Sequence, residues 1–355
     1  MAKGRITGRG AEIAAMRRAG LDLCDAVIVD LCKRGLLTVT PEALDRLAEH
    51  ERSLQSYKLM RFSRELAAME TRLRAALLRG AVDSSLFVTR LERLQFAARR
   101  LRALLDDPAA DPLEIEEIAG HTWRDGDLER RENVWLAEMA WESVKTEEGF
   151  RVDTSYFAAP GGAAWCERKI LPMNIHANID DSLKPQHPGL RRYTEVGLYP
   201  GDLPRRVKLL SRTSEEENVY TTAEGKGSDG DGIVRLFKSA PSSVEEIRAS
   251  YLNRRDRPFP PDVAPVLLRE PLFRLQGDDF HVVGQDGDIL SIAAPTVLDR
   301  QPSSHQCIDA LRELVFSGPL HGVLLLLHDD GNRVSALPAG AWTPDGIIRL
   351  GLDAF

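Results

Sequence analysis

Four side chains of the kinds that bind metal ions lie close together in the middle of the chain. His176 and Asp180 are four residues apart, so a helix would bring them to one face, and Asp181 and His187 follow. Prolines interrupt this segment at three positions, namely Pro172, Pro185 and Pro188. Because proline disfavours a continuous helix, we predict a polar surface loop here and no metal site.

Nucleophilic side chains give no catalytic pattern either. Cys166 lies ten residues before His176, but no acid that would orient the histidine is evident. Cys307 and His305 lie near the start of a predicted helix, and we interpret them as structural. The glycine-rich stretch 225–232 is followed by a strand-like run, whereas a phosphate-binding loop leads into a helix. We therefore predict no catalytic residue, no metal and no cofactor.

The four cysteines have no spacing that suggests a disulfide. Cys24 and Cys32 lie in one predicted helix, where eight residues correspond to about 12 Å of rise, too far for an S–S bond. Cys166 and Cys307 are far from each other and from this pair. We expect all four to be reduced, buried thiols, which is typical of a cytoplasmic protein.

Charge divides the chain into two parts. Residues 1–105 hold 20 Lys and Arg and 12 Asp and Glu, a net charge of +8, and the remaining residues hold 27 and 42, a net charge of −15. Four arginines of the basic part, Arg93, Arg99, Arg100 and Arg102, form a possible interaction surface. Three interpretations of these arginines stay open: a nucleic-acid surface, an interface with an acidic protein or with the acidic part of this chain, and a solvated helix surface.

The basic part has the apolar spacing of a helical bundle. The first stripe runs through Ile13, Met16, Gly20, Leu23, Val27 and Leu31. The fourth follows a seven-residue repeat through Phe87, Leu91, Leu94, Ala98, Leu101 and Leu105. Thr40 and Pro41 have the types expected at the start of the second helix. We predict a domain over 1–105, followed by an acidic linker.

The acidic part alternates short strand-like runs with two amphipathic helices, 243–252 and 304–316. Strands are expected at 207–210, 219–222, 233–237, 280–283, 289–292, 323–327, 334–337 and 347–350. Hairpin signals join several of them, for example at Pro344-Asp345-Gly346. The pattern predicts an α+β protein: a helical bundle followed by one or two mixed, mainly antiparallel modules, at 106–240 and 241–355. No signal peptide and no membrane-spanning run is expected.

Several segments from about Leu113 onward resemble the region outside the zinc finger in bacterial SWIM zinc-finger proteins. The matching pieces are Trp141 with Gly149-Phe150 and Tyr156-Phe157, the run 199–206, the helix 243–252, the run 265–269, the hairpin 280–292 and the closing strands 323–350. Such proteins are often encoded beside MoxR-type AAA+ ATPases and von Willebrand A-domain proteins. The resemblance implies an accessory or adaptor role with such partners.

The sequence departs from that family at the zinc finger itself. A SWIM finger needs two cysteines one residue apart and then a Cys-x-His pair, and neither pattern occurs here. Zinc, and whatever binding the finger confers, are therefore not carried over. We predict a non-enzymatic, cytoplasmic adaptor. The alternative is a nucleic-acid-associated protein that uses the basic helices. A hydrolase or metalloenzyme around His176 and Cys166 is the least favoured of the three hypotheses.

Overall fold

The computed structural model describes residues 8–35, 39–79, 84–145, 150–172, 189–201, 205–211, 230–255, 258–259, 263–277, 279–284, 287–295, 301–329 and 333–351. The chain divides into two compact units, Met1–Trp123 with Arg255–Pro260, and Arg124–Arg254 with Pro261–Phe355. The first is helical, and the second combines a β-barrel with a seven-stranded sheet. The predicted α+β class is confirmed.

The first unit is a bundle of helices. They are α1 (Gly8–Arg34), α2 (Pro41–Ser56), α3 (Met60–Arg79), α4 (Ser84–Asp106) and α5 (Pro112–Ala119). The predicted start of α2 is confirmed, because the Thr40 hydroxyl accepts a hydrogen bond from the Ala43 N–H at 3.3 Å. Asp111 caps α5 in the same way, and Gly120, with φ of 87°, ends it in the left-handed conformation.

The seven-residue repeat of α4 lies in the core of the bundle as predicted. Phe87, Leu94 and Leu101 are buried, as are Leu91 and Ala98 between them. The stripe predicted for α1 is partly wrong. Met16 is 38% exposed, and the buried face instead runs through Arg17, Gly20, Leu21, Cys24, Val27 and Ile28.

Helix α5 belongs to the bundle, although the predicted domain boundary lies at residue 105. Ile118 and Ala119 are buried in the same core. The guanidinium of Arg17, almost fully buried on α1, donates two hydrogen bonds of 2.8 Å to Glu116 of α5. An unpaired buried guanidinium would cost several kcal/mol, so this bidentate ion pair ties α5 to α1.

The second unit begins with a closed five-stranded barrel. Its strands are β1 (Glu129–Lys145), β2 (Phe150–Ala159), β3 (Ala163–Pro172), β4 (Gly189–Leu198) and β5 (Arg205–Ser211). They follow the order β1-β2-β3-β5-β4 around the barrel, with β3 and β5 parallel and β4 returning to β1. The long β1 pairs with β4 along its first part and with β2 along its second, with a bulge between Glu138 and Ala140.

One predicted strand of this unit is wrong. Residues 233–237 lie in a helix, α6 (Gly230–Phe237). Ile233, Leu236 and Phe237 are buried while Val234 is 49% exposed, and this is helical spacing, not the alternation of a strand. The predicted strand at 219–222 lies outside the described residues.

The rest of the second unit forms a seven-stranded sheet with two further helices, α7 (Val244–Arg255) and α8 (Gln301–Ser317). Its strands are β6 (Ala264–Arg269), β7 (Leu272–Gln276), β8 (Asp279–Val283), β9 (Ile289–Ile292), β10 (Gly322–Asp329), β11 (Val334–Thr343) and β12 (Gly346–Arg349). The order is β6-β10-β11-β9-β8-β7, and β12 pairs with β11. Only the β9–β11 pair is parallel among the described pairs of this sheet.

A single hydrophobic core joins the barrel to the sheet, so the predicted modules 106–240 and 241–355 do not coincide with the second unit. Ala137 and Tyr156 of the barrel share that core with Phe237 of α6 and with Leu324 and Leu337 of the sheet. The side chains on this face of the barrel therefore belong to a core that the barrel shares with the sheet. Among the described helices, none is both long enough and apolar enough to cross a membrane.

The turn between β2 and β3 offers a matched pair of glycines that tests this packing. Gly161 and Gly162 both have positive φ, but a Cβ at Gly162 would lie 2.2 Å from the Ala240 nitrogen, whereas a Cβ at Gly161 would meet nothing within 4 Å. We expect Gly161→Ala to lower the free energy of unfolding by about 1 kcal/mol through left-handed strain alone. Gly162→Ala adds a backbone clash worth about 1–3 kcal/mol more. Urea unfolding of both variants measures the difference, and equal losses would contradict the close approach.

Candidate functional site

The four arginines of the predicted interaction surface do not form one surface. Arg102 pairs with Asp22 at 3.0 Å and Asp25 at 2.7 Å on α1, and Arg100 pairs with Glu114 of α5 at 2.6 Å. These two arginines lie along opposite edges of α4 and link it to its neighbours. Both arginines therefore stabilise the packing of the bundle, and carboxylates of the same unit neutralise their charges.

The other two arginines of the set are placed differently. Arg93 is half-buried and interacts with other groups of the chain, while Arg99 is exposed. Arg99 lies one turn from Phe96, whose side chain is 50% exposed. Of these residues, the outer face of α4 therefore presents one aromatic side chain and one cationic side chain. A cationic patch would need several neighbouring cations.

A groove in the second unit collects a different set of polar groups. Its volume is about 450 Å³, and its walls come from the turn Pro160–Gly162, the first residues of β3 and β5, and strand β6. Arg131 and Arg205 line it together with Ser239 and Ser250. Volumes of this size are typical of ligand sites in proteins. We call this feature the Arg131–Arg205 groove.

One carboxylate holds both guanidiniums of the groove. Glu129 accepts hydrogen bonds from Arg131 at 2.6 and 3.0 Å and from Arg205 at 3.0 Å. These bonds, first of all those from Arg131, keep the pKa of Glu129 below its usual value, so the carboxylate is ionised at neutral pH. Two positive charges thus share one negative charge, and the trio carries a net charge of +1.

Two further cationic side chains of β5, Arg206 and Lys208, lie on the opposite face of that strand from Arg205. The guanidinium of Arg206 lies 4.4 Å from the ring centroid of Tyr199, which is cation–π geometry. Lys208 pairs with Asp125 at 2.7 Å, and this bond raises the pKa of the amine above its usual value. Each of these groups is exposed enough for solvent to reach it.

A buried polar cluster fills another part of the barrel. Ser143 and Arg151 donate hydrogen bonds of 2.6 and 2.7 Å to Asp153, and the Arg151 guanidinium lies 5.9 Å from the centroid of Trp141. On the opposite face of the same two strands, Tyr156 donates a hydrogen bond to Glu142 at 2.7 Å. Buried charges that pair in this way stabilise a unique packing of the barrel, and we assign the cluster a structural role.

Strand β7 ends the sheet on its outer side. Within the described residues it pairs with β8 alone, and its side chains Leu272 and Leu275 are 60% and 47% exposed. Gln276 is opposite Asp279, so the loop has two residues, and it begins with Gly277 at a φ of 64°. In such a hairpin the peptide groups of residues 272, 274 and 276 face β8, which leaves those of Phe273 and Leu275 facing outward.

The other candidate residues of the sequence lie partly outside the described part of the chain. His176, Asp180, Asp181, His187 and most of the glycine-rich stretch lie outside the described residues. In the described ranges, no group of three or more His, Cys, Asp or Glu side chains could hold a metal ion. Cys166 and Cys307 are buried, and burial raises the pKa of Cys166. No local pattern of residues predicts the Arg131–Arg205 groove, because 73 residues lie between its two arginines.

Comparison of the chain with protein-family models, with curated proteins and with solved structures finds no match in any of the three. The likeness to SWIM-associated proteins therefore stays a prediction.

The cysteines provide a test of the burial described above. The expectation of four buried thiols is wrong for Cys32, which is exposed near the end of α1. Burial, and next the charge of Asp25, raise the pKa of Cys24 to about 12, so its reactive thiolate is scarce at neutral pH.

We expect a maleimide at about pH 7 to label one thiol of the folded protein quickly, because only a thiolate reacts. Mass spectrometry should find that label on Cys32, and Cys32→Ser should abolish it; rapid labelling of Cys24 would contradict the packing of α1.

Proposed function

We propose that the protein is a non-enzymatic adaptor that binds a partner protein through the outer edge of β7. The observation that carries this proposal is the combination of an edge strand with two exposed leucines on it. An extended segment of another protein can add to such an edge as a further strand. Hydrogen bonds then come from the backbone, and side-chain pockets give the selectivity.

The chemistry of β7 favours such a partner. Edge strands are usually protected by several charges, by proline or by a bulge, since an open edge promotes association. In β7, Arg274 is the one charged residue, and Pro271 precedes the strand. The outward peptide groups of Phe273 and Leu275 offer two donors and two acceptors to an incoming strand.

The resemblance supports a further proposal about the partner. Bacterial SWIM-associated proteins are encoded beside MoxR-type AAA+ ATPases and von Willebrand A-domain proteins, so a protein of either class is the partner that we propose. The assembly would then work in the cytoplasm. The nucleic-acid alternative is less well supported for the helical unit, because two of its four arginines already pair with carboxylates of the same unit.

Photocrosslinking at the edge tests the adaptor proposal. We would place benzoylphenylalanine at Leu272 and irradiate the full chain with the AAA+ ATPase and the von Willebrand A-domain protein encoded nearest to its gene. A discrete adduct with one of them is expected. Leu275→Pro removes one outward N–H and should lower the yield at least about tenfold, whereas Leu275→Ala keeps that donor and should retain most of the yield.

The same probe at Leu252, an exposed leucine of α7, is the control for indiscriminate labelling. Equal adduct yields from positions 252 and 272, or equal yields from the proline and alanine variants, would refute strand addition at β7. An adduct between two copies of the chain would reassign the edge to self-association.

A further inference from the structure

The two arginines of the Arg131–Arg205 groove lie at one mouth of the barrel. Arg131 is opposite Val196 in the pairing of β1 with β4, and Arg205 is opposite Trp165 in the pairing of β3 with β5. Both partners are buried in the core of the barrel. Directly opposite residues point to the same face of a sheet, so both arginines lie on the inner face, at the end where β1 and β5 begin. The mouths of β-barrels are frequent ligand sites.

The lining of the groove is mostly apolar. Trp165 and Leu198, which belong to the core of the barrel, line it together with Val266 and Leu267 of β6. Among the described residues that line the groove, the two arginines are the charged ones, and Glu129 is not part of the lining. A ligand in the groove therefore meets an apolar surface and two positive charges.

Each guanidinium keeps hydrogen-bond donors that Glu129 does not use. Arg131 donates to Glu129 through Nε and Nη2, and Arg205 donates to it through Nη2. The Nε atom of Arg205 is buried and, in the described part of the chain, has no hydrogen-bond partner. A guanidinium has five N–H donors, and a buried donor without a partner is costly. An anion between the two arginines can use the remaining donors, so it need not displace Glu129.

The charges of the trio match a ligand with one carboxylate. The two guanidiniums and Glu129 together carry a net charge of +1, as described above. Guanidinium forks bind carboxylates through paired hydrogen bonds. One negative charge neutralises the trio, whereas a polyanion would leave uncompensated charge against the apolar lining, which is unfavourable. The same lining favours a ligand whose remaining surface is apolar.

We propose that the Arg131–Arg205 groove binds a small organic monocarboxylate with a large apolar body. The carboxylate contacts Arg131 and Arg205, and the body packs against Trp165 and Leu198. The volume of about 450 Å³ is sufficient for a body of several fused rings. The adaptor proposal neither requires this site nor excludes it, because none of the described lining residues belongs to β7.

A pair of fluorescent probes tests the proposal. Pyrenebutyrate carries one carboxylate on an apolar ring system, and pyrenebutanol carries a neutral hydroxyl on the same rings. Each probe is titrated with the full chain at neutral pH, and the pyrene emission, which depends on the polarity of the surroundings, reports binding. We expect wild type to bind pyrenebutyrate at least about tenfold more tightly than pyrenebutanol, because charge-assisted hydrogen bonds hold the carboxylate.

Arg131→Gln/Arg205→Gln removes both guanidiniums of the groove. It should weaken pyrenebutyrate binding at least about tenfold and leave pyrenebutanol binding within about twofold, because only the first probe has a charge to pair. Arg206→Gln/Lys208→Gln is the matched control, since it removes the same charge from the opposite face of β5. The control should leave both affinities within about twofold of wild type, because its charges act only through a screened field. Thermal melting checks that each variant is folded.

Glu129→Gln provides a test of the opposite sign that does not depend on the arginine variant. It raises the net charge of the trio by one, so pyrenebutyrate should bind about threefold more tightly or better, and pyrenebutanol should bind as before. If the trio only stabilised the barrel, loss of the shared carboxylate would not tighten binding of the charged probe.

Three results would overturn the proposal. One is the absence of pyrenebutyrate binding by the wild type, or equal affinity for the two probes. Another is unchanged pyrenebutyrate affinity in Arg131→Gln/Arg205→Gln, and the third is unchanged or weaker pyrenebutyrate binding in Glu129→Gln. Binding that survives in Leu275→Pro is expected, so the result is separable from that of the crosslinking experiment.

Discussion

The second unit depends on one close backbone contact between its barrel and its sheet. At the bulge of β1, the carbonyl oxygen of Met139 lies so near Gly340 of β11 that a Cβ there would be only 2.1 Å away. Beside it, Glu138 accepts a 2.6 Å hydrogen bond from Arg349 of β12, and both side chains are largely buried. Glycine allows the approach, and the ion pair neutralises the carboxylate that the approach buries.

The same bulge also contributes to the closure of the barrel and to its packing. The bulge allows β1 to pair with β4 along one part and with β2 along the other, which closes the barrel. One face of the barrel then packs against the sheet through Tyr156 and Cys166. The Arg131–Arg205 groove lies beside that packed face, and β7 lies at the far end of the strand order from β6.

Local patterns in the sequence predicted much of the fold. The heptad of α4, the Thr40 cap and the late strands of the sheet are confirmed, since each depends on residues close in sequence. Residues 129–145 were not predicted as one strand, because charges and apolar residues do not alternate regularly across a bulge. The strand expected at residues 233–237 is wrong, because a short apolar run fits either a strand or a buried helix.

The candidate sites were harder to predict, for a physical reason. Arginine counts indicated a surface on α4, but whether an arginine is available depends on carboxylates distant in sequence: Arg102 meets Asp22, 80 residues away. The trio of Glu129, Arg131 and Arg205 likewise forms only when β1 and β5 lie in one barrel. An edge strand is defined by the strand order of a whole sheet, which no local pattern contains.

The central claim is that the bulge–glycine contact makes barrel and sheet one cooperative unit. Hydrogen exchange measured by mass spectrometry on Gly340→Ala tests it most directly, with Gly126→Ala as control because a Cβ there meets nothing within 4 Å. We expect Gly340→Ala to lower protection in β2 of the barrel and in β10 of the sheet by similar factors, while Gly126→Ala changes neither. Loss of protection confined to β11 and β12, with the barrel unchanged, would contradict it.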